Sequence, residues 1–119
     1  VKTIEFDRYF PKLNDDIFST IRKPEKKVKM GTWYRISTKV QGEFKAMCIN
    51  GGVCRLGEIP EEYLLKDTNT SSKEEALDLL RTFYPDLEIQ HKVSFWWFAK
   101  PGAEVGESGV GPFTIGDAP

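Results

Sequence analysis

The densest run of chemically capable residues lies between Ser19 and Ile36. A hydroxyl pair, Ser19-Thr20, is followed by Arg22, Lys23, Lys26, Lys27 and Lys29, then Gly31 and an aromatic strand that starts at Trp33. Arg22 carries a planar fork of donors suited to a phosphate or carboxylate in a cleft, or to an acid of the chain such as Asp16 or Asp67. In the strand, Trp33, Arg35 and Lys39 alternate onto one face. Cations interleaved with an aromatic suit single-stranded or looped RNA: the cations meet phosphates and the ring stacks on a base. Trp33 as a core residue is the competing reading, because most tryptophans are largely buried.

Charge divides the chain around this run. Between Arg22 and Lys45 there are eight Lys/Arg against two acids, a balance of about +6, whereas Leu56 to Glu88 holds nine acids against three cations, about −6. A near-neutral chain split in this way presents a basic face, the footprint expected for an anionic partner. The plainer alternative is that a lysine-rich turn is simply solvated.

Other chemistries find little support. Cys48 and Cys54 with a lone His91 do not make a zinc site, and there is no Gly-rich phosphate loop and no Ser/His/Asp arrangement. No metal and no cofactor is therefore expected. An Asn50-Gly51-Gly52 hairpin would bring the two sulfurs together, while one strand with a glycine bulge would hold them apart; reduced, structural thiols are expected. The longest apolar run, Val93 to Ala99, has the length of a strand, far short of the ~20 residues of a membrane span. Val1 to Glu5 lacks an apolar signal core, so a cytoplasmic protein is expected; the sequence leaves the oligomeric state open, with a monomer favoured.

The elements that position these residues follow from periodicity. Lys2–Phe6 alternates as a first strand, and Pro11 with Leu13, Ile17 and Phe18 at helical spacing predicts a short helix. Lys26–Lys29 is too charged to bury and reads as a loop, and Thr32–Val40 alternates as a strand. Phe44–Leu56 is a long β segment interrupted at Gly51-Gly52. A short helix begins near Pro60, with acids in its first turn, and Asp67–Ser71 reads as a polar loop. Ser72 and Glu75 form a capping box that opens a helix with Ala76, Leu77, Leu80 and Phe83 on one stripe, ending by Pro85. Val93–Ala99 is apolar on both faces and reads as a buried strand. At 119 residues the chain is one domain, with residues 1–100 as its body and the Gly/Pro-rich residues 101–119 as a loosely packed or disordered extension. The order is that of a mixed α+β protein.

Taken together, these residues resemble an ASCH domain, a small mixed β-barrel of the PUA-like superfamily with flanking helices. The likeness rests on Asp15-Asp16-Ile17-Phe18 running into Ser19-Thr20-Ile21-Arg22, similar to a helix entering the family's Gly-x-Lys-x-x-(Glu/Thr)-x-Arg motif. It rests also on the lysine-rich loop before Gly31, and on Leu56-Gly57-Glu58-Ile59 followed by the helix that ends in Tyr84-Pro85. It spans roughly residues 3–99. In that family the segment matching Phe44–Leu56 is a bent strand, which implies a bulge at Gly51-Gly52 and separated cysteines. Thr20 and Arg22 match the end of the motif. Asp15 and Ile17 stand where its Gly and Lys are expected, so the motif's lysine is absent.

Some small bacterial members hydrolyse the N4-acetyl group of acetylcytidine with a lysine, a threonine and an acid. The resemblance would give these roles to Thr20 and Asp67, with Lys23 or Lys26 folding back as the lysine. The expectation favoured by the sequence is binding of RNA or a nucleotide-like ligand beside Thr20–Lys29, through Arg22, Lys23, Lys26, Lys27, Lys29, Trp33, Arg35 and Lys39. An amidohydrolase acting on a modified nucleoside is the rival, and a protein-interaction module using the acidic face or the C-terminal extension is the third.

Overall fold

A computed structural model of the chain describes residues 2–24, 28–105 and 113–118. Five strands form one mixed sheet: β1 (Thr3–Phe6), β2 (Ile17–Arg22), β3 (Trp33–Thr38), β4 (Glu43–Arg55) and β5 (Lys92–Ala99), in the order β1-β3-β4-β5-β2. β1 runs parallel to β3 and the other pairs are antiparallel. The sheet curls into a half-barrel whose edge strands, β1 and β2, are joined by side chains rather than by a ladder. Helices α1 (Glu61–Thr68) and α2 (Lys73–Phe83) complete a small α+β fold. Among the described residues no helix is long and apolar enough to cross a membrane.

β4 makes the curl possible. Its first half pairs with β3 and its second half with β5, and the register shifts between Cys48 and Asn50. The extra residue bends the strand and sharpens its twist. Gly51 follows at φ 135°, and a Cβ there would stand 2.4 Å from the Phe95 carbonyl oxygen, so the close approach of β5 requires glycine. The hairpin alternative for Cys48 and Cys54 is thereby excluded. Both thiols are free, and burial pushes the Cys48 thiol up to about 11. Beyond Cys48 one edge of β4 is left without a neighbouring strand, and side chains cap it. Asn50 Oδ1 accepts from Gly51 N at 2.8 Å and Glu58 Oε1 from Arg55 N at 2.9 Å.

Phe18 fills the middle of the half-barrel, stacked on Phe98 (5.7 Å between centroids) and edge-on to Phe6 and Phe44. Outside the sheet, Leu56, Leu64, Ala76, Leu80 and Val93 form the seam with the helices. α2 begins where expected, with Ser72 Oγ accepting from Glu75 N at 3.2 Å. Trp96 turns to the interior cluster while Trp97, on the opposite face, meets Tyr63 edge-on at 5.5 Å.

Three local expectations are corrected. The helix read over Pro11–Phe18 is a 3-10 turn, Pro11–Asn14, after which Ile17 and Phe18 already belong to β2. Their apolar pattern was ambiguous in period, and the pairing of β2 with β5 decided it. The loop read from Asp67 begins later: Asp67 and Thr68 form the last turn of α1, which ends at Asn69 in the left-handed region (φ 56°). The segment read as a loosely packed extension is packed at Ala103, Val105 and Ile115, which are buried with Ala99 against Ile17, Trp33, Met47 and Ile49. Two short strands, β6 (Glu104–Val105) and β7 (Phe113–Thr114), hold it together.

Candidate active site

A cavity of about 490 Å³ opens between the two edge strands. Glu5 and Phe6 of β1 line one side, and Thr20, Ile21 and Arg22 of β2 the other. Phe10, which caps the 3-10 turn, and Lys12 within it contribute next, with Asp67 from the end of α1 and Phe83 and Tyr84 from the end of α2. It is the meeting place of these elements because the sheet does not close there.

At its centre is an ion pair that the sequence reading did not find. Lys12 Nζ lies 3.2 Å from Asp67 Oδ1, and both side chains are almost fully buried (6% and 4% exposed). Ser19 donates its hydroxyl to the other carboxylate oxygen, Oδ2, at 2.5 Å. The Lys12 ammonium also stands over the rings of Phe6 (5.4 Å) and Phe10 (5.1 Å). Burial pushes the Lys12 amine below the ordinary lysine value; Asp67 opposes that shift and the Arg22 charge adds to it. A lysine that gives up its proton more readily is a lysine equipped for base chemistry. Lys12 was legible only as one cation among seventeen Lys and Arg. The available signal was its setting between Phe10 and Leu13, where a solvated lysine has no reason to be.

Thr20, buried on the interior face of β2, accepts from Arg22 Nε at 3.1 Å. Its own hydroxyl proton points to no protein acceptor among the described residues. Arg22 Nη2 donates to the Glu5 carbonyl at 2.5 Å, lacing β2 to β1, and the guanidinium lies 4.9 Å from the centre of the Phe6 ring. No carboxylate of the described residues is within ion-pair distance of Arg22, so neither Asp16 nor Asp67 neutralises it. Burial lowers the Arg22 value, with Tyr84, Asp67, Glu5 and Asp7 acting the other way.

The remaining expected site residues are dispersed. Lys39 lines the cavity mouth. Lys23 is exposed, with its ammonium 5.4 Å from the centre of the Tyr84 ring. Lys29 is exposed while its backbone N–H donates to the Tyr34 hydroxyl at 2.8 Å. Arg35 is exposed on β3 beside Lys45 of β4, away from the cavity lining. Trp33 is half-buried against the packed C-terminal segment, so its ring does not share an open face with those cations. Lys26 and Lys27 lie outside the described residues. Among the described residues no group of His, Cys, Asp and Glu is placed to hold a metal, and His91 is exposed, accepting from Glu88 N through Nδ1.

The arrangement offers a hydroxyl with a free proton, a buried amine of reduced basicity, a carboxylate that orients it, and a guanidinium. Aromatic walls would flank a planar ligand. No protein-family model matches the chain, and neither a curated protein nor a solved structure matches it.

Proposed function

We propose that this cavity is the active site of a small amidohydrolase that removes an acyl group from the exocyclic nitrogen of a modified nucleoside such as N4-acetylcytidine, on an ASCH-type, PUA-like scaffold. The observation that carries the reading is the burial of Lys12 against Asp67 in the same cavity as Thr20. The lysine missing from the expected motif position is replaced by one delivered from the 3-10 turn. The cavity volume falls within the range of small-ligand sites, and Phe6, Phe10, Phe83 and Tyr84 supply walls for a base.

The chemistry follows from these groups. Thr20 Oγ1 attacks the acyl carbon and its proton passes to Lys12 in its deprotonated form, the form that burial favours. Charge developing on the carbonyl oxygen is stabilised by the Arg22 guanidinium. As the tetrahedral adduct collapses, the C–N bond breaks and the Lys12 ammonium returns a proton to the departing nucleoside nitrogen. Water, deprotonated by the same amine, then cleaves the threonyl ester. The net change is amide plus water to carboxylic acid plus amine, with the protein regenerated.

The test is turnover of N4-acetylcytidine followed by absorbance, in the wild type and in Thr20→Val and Lys12→Met. Turnover that falls by roughly 10²–10⁴-fold in both variants is expected. Absence of wild-type turnover, or turnover unchanged in both variants, overturns the reading.

A second reading, binding of RNA or a nucleotide-like ligand, is favoured by Lys39 at the mouth and Lys23 over the Tyr84 ring. It predicts binding to short single-stranded RNA that weakens steeply with salt and with the double change Lys23→Glu, Lys39→Glu. Salt-insensitive binding would count against it.

A further inference from the structure

The hydroxyl pair Ser19-Thr20 occupies adjacent positions of one strand, so the two side chains leave β2 on opposite faces. Thr20 enters the cavity from the interior face. Ser19 points outward, beneath α1, where its Oγ meets Asp67 Oδ2 at 2.5 Å. The Asp67 carboxylate therefore joins the two faces of β2, with one oxygen on Ser19 and the other 3.2 Å from Lys12 Nζ in the cavity. All three side chains are buried. A carboxylate held at both oxygens cannot rotate, and the cation facing it is held with it.

From this juxtaposition we propose that Ser19 is a positioning residue of the cavity, fixing the Asp67 carboxylate and, through it, the Lys12 amine that shares the cavity with Thr20. This rests on the amidohydrolase reading for its catalytic consequence, but not for its effect on Lys12. By donating to Oδ2, Ser19 takes up part of the carboxylate's charge and leaves less to hold a proton on Lys12. The other charged or titratable groups around Lys12 are Arg22 of β2, Glu5 and Asp7 at β1, Lys39 after β3, and Tyr84 after α2. None of them contacts the carboxylate, so the Ser19 bond has no duplicate among the described residues.

Two measurements on the full chain separate this role from a merely structural one. The first is an NMR titration of the Lys12 side chain (13Cε and 15Nζ shifts), which needs no substrate. Ser19→Ala should move the Lys12 titration to higher pH, and Ser19→Thr, which keeps the hydroxyl, should return it toward the wild-type position. The second is the pH profile of N4-acetylcytidine turnover. Ser19→Ala should lower kcat by about 10- to 100-fold with KM within about twofold, and shift the rising limb of the profile to higher pH in step with the NMR titration. Ser19→Thr should recover most of kcat. A Lys12 titration unmoved by Ser19→Ala, or Ser19→Thr behaving like Ser19→Ala in a protein that remains folded, overturns the proposal. Failure of the wild type to turn over substrate overturns the amidohydrolase reading instead, while the NMR titration still decides the control of Lys12 by Ser19.

Discussion

Two halves of β2 follow the same alternation and pair with the same strand, yet they build opposite environments. At Phe18 the interior face meets Phe98, Phe6 and Phe44, and the space is filled by rings. Two and four residues on, the same face carries Thr20 and Arg22 into an open cavity. The difference lies across the gap. Near Phe18, Lys100 covers the Phe44 ring (4.7 Å) and donates to the Leu13 carbonyl at 2.7 Å, closing that end. Near Arg22 the β1 and β2 edges part, with the guanidinium lacing them through the Glu5 carbonyl. One strand thus serves as core where the half-barrel is filled and as site where it is left unclosed. The lesson is that a strand's pattern assigns faces, while the closure of the sheet assigns their use.

The comparison can be broken at either end. Phe18→Ala should cost roughly 3–5 kcal/mol in urea unfolding, because it removes a buried ring from among three others. It should spare turnover per folded molecule; a selective loss of turnover would mean that the two halves are not separable. Asp67→Ala should also cost about 3–5 kcal/mol, by stranding the Lys12 charge in the interior. Unlike Phe18→Ala, it should be largely rescued in stability by a second change, Lys12→Met, with activity still absent. A double variant as unstable as the single one would show that the pair does not act as a buried ion pair.

A pH experiment sharpens the same contrast. Because the folded-state value of Lys12 is lowered from 10.5, the unfolded chain binds more protons between the two values. Stability contributed at this site should therefore rise with pH across that window, up to the ordinary lysine value. The difference in unfolding free energy between wild type and Lys12→Met should show this positive alkaline slope, and Phe18→Leu should show none relative to wild type. The smallest expected effect is at the scaffold of the site. Ser72→Ala removes the cap of α2, the helix that brings Phe83 and Tyr84 to the cavity, and should cost about 1 kcal/mol with little change in KM. A large KM change would show that α2 does more than frame the cavity.

Much of the fold was legible because local rules and tertiary needs agree. Ser72 and Glu75 mark the start of α2, Pro60 and the acids after it mark α1, and the β character of Thr32–Val40 and Val93–Ala99 is plain in the sequence. The errors fall where one pattern serves two structures. Leu13, Ile17 and Phe18 fit a helical stripe and equally a turn followed by a strand, and only pairing with β5 separates the two. The apolar residues scattered after Pro101 read as loose chain, because nothing local announces that Ala103, Val105 and Ile115 will cover Ile17 and Met47.

The candidate site divides along the same line. By itself the sequence determined which groups were on offer: the hydroxyl pair, Arg22, an acid near the end of α1, and a basic stretch beside them. Tertiary structure decided which of them meet. It turned Trp33 onto the C-terminal segment, left Lys23 exposed beside the Tyr84 ring, and carried Lys12 across 55 positions of sequence to Asp67. The physical reason is that burying a charge is costly unless another charge is buried with it. That requirement acts between elements far apart in the chain, and no local periodicity records it.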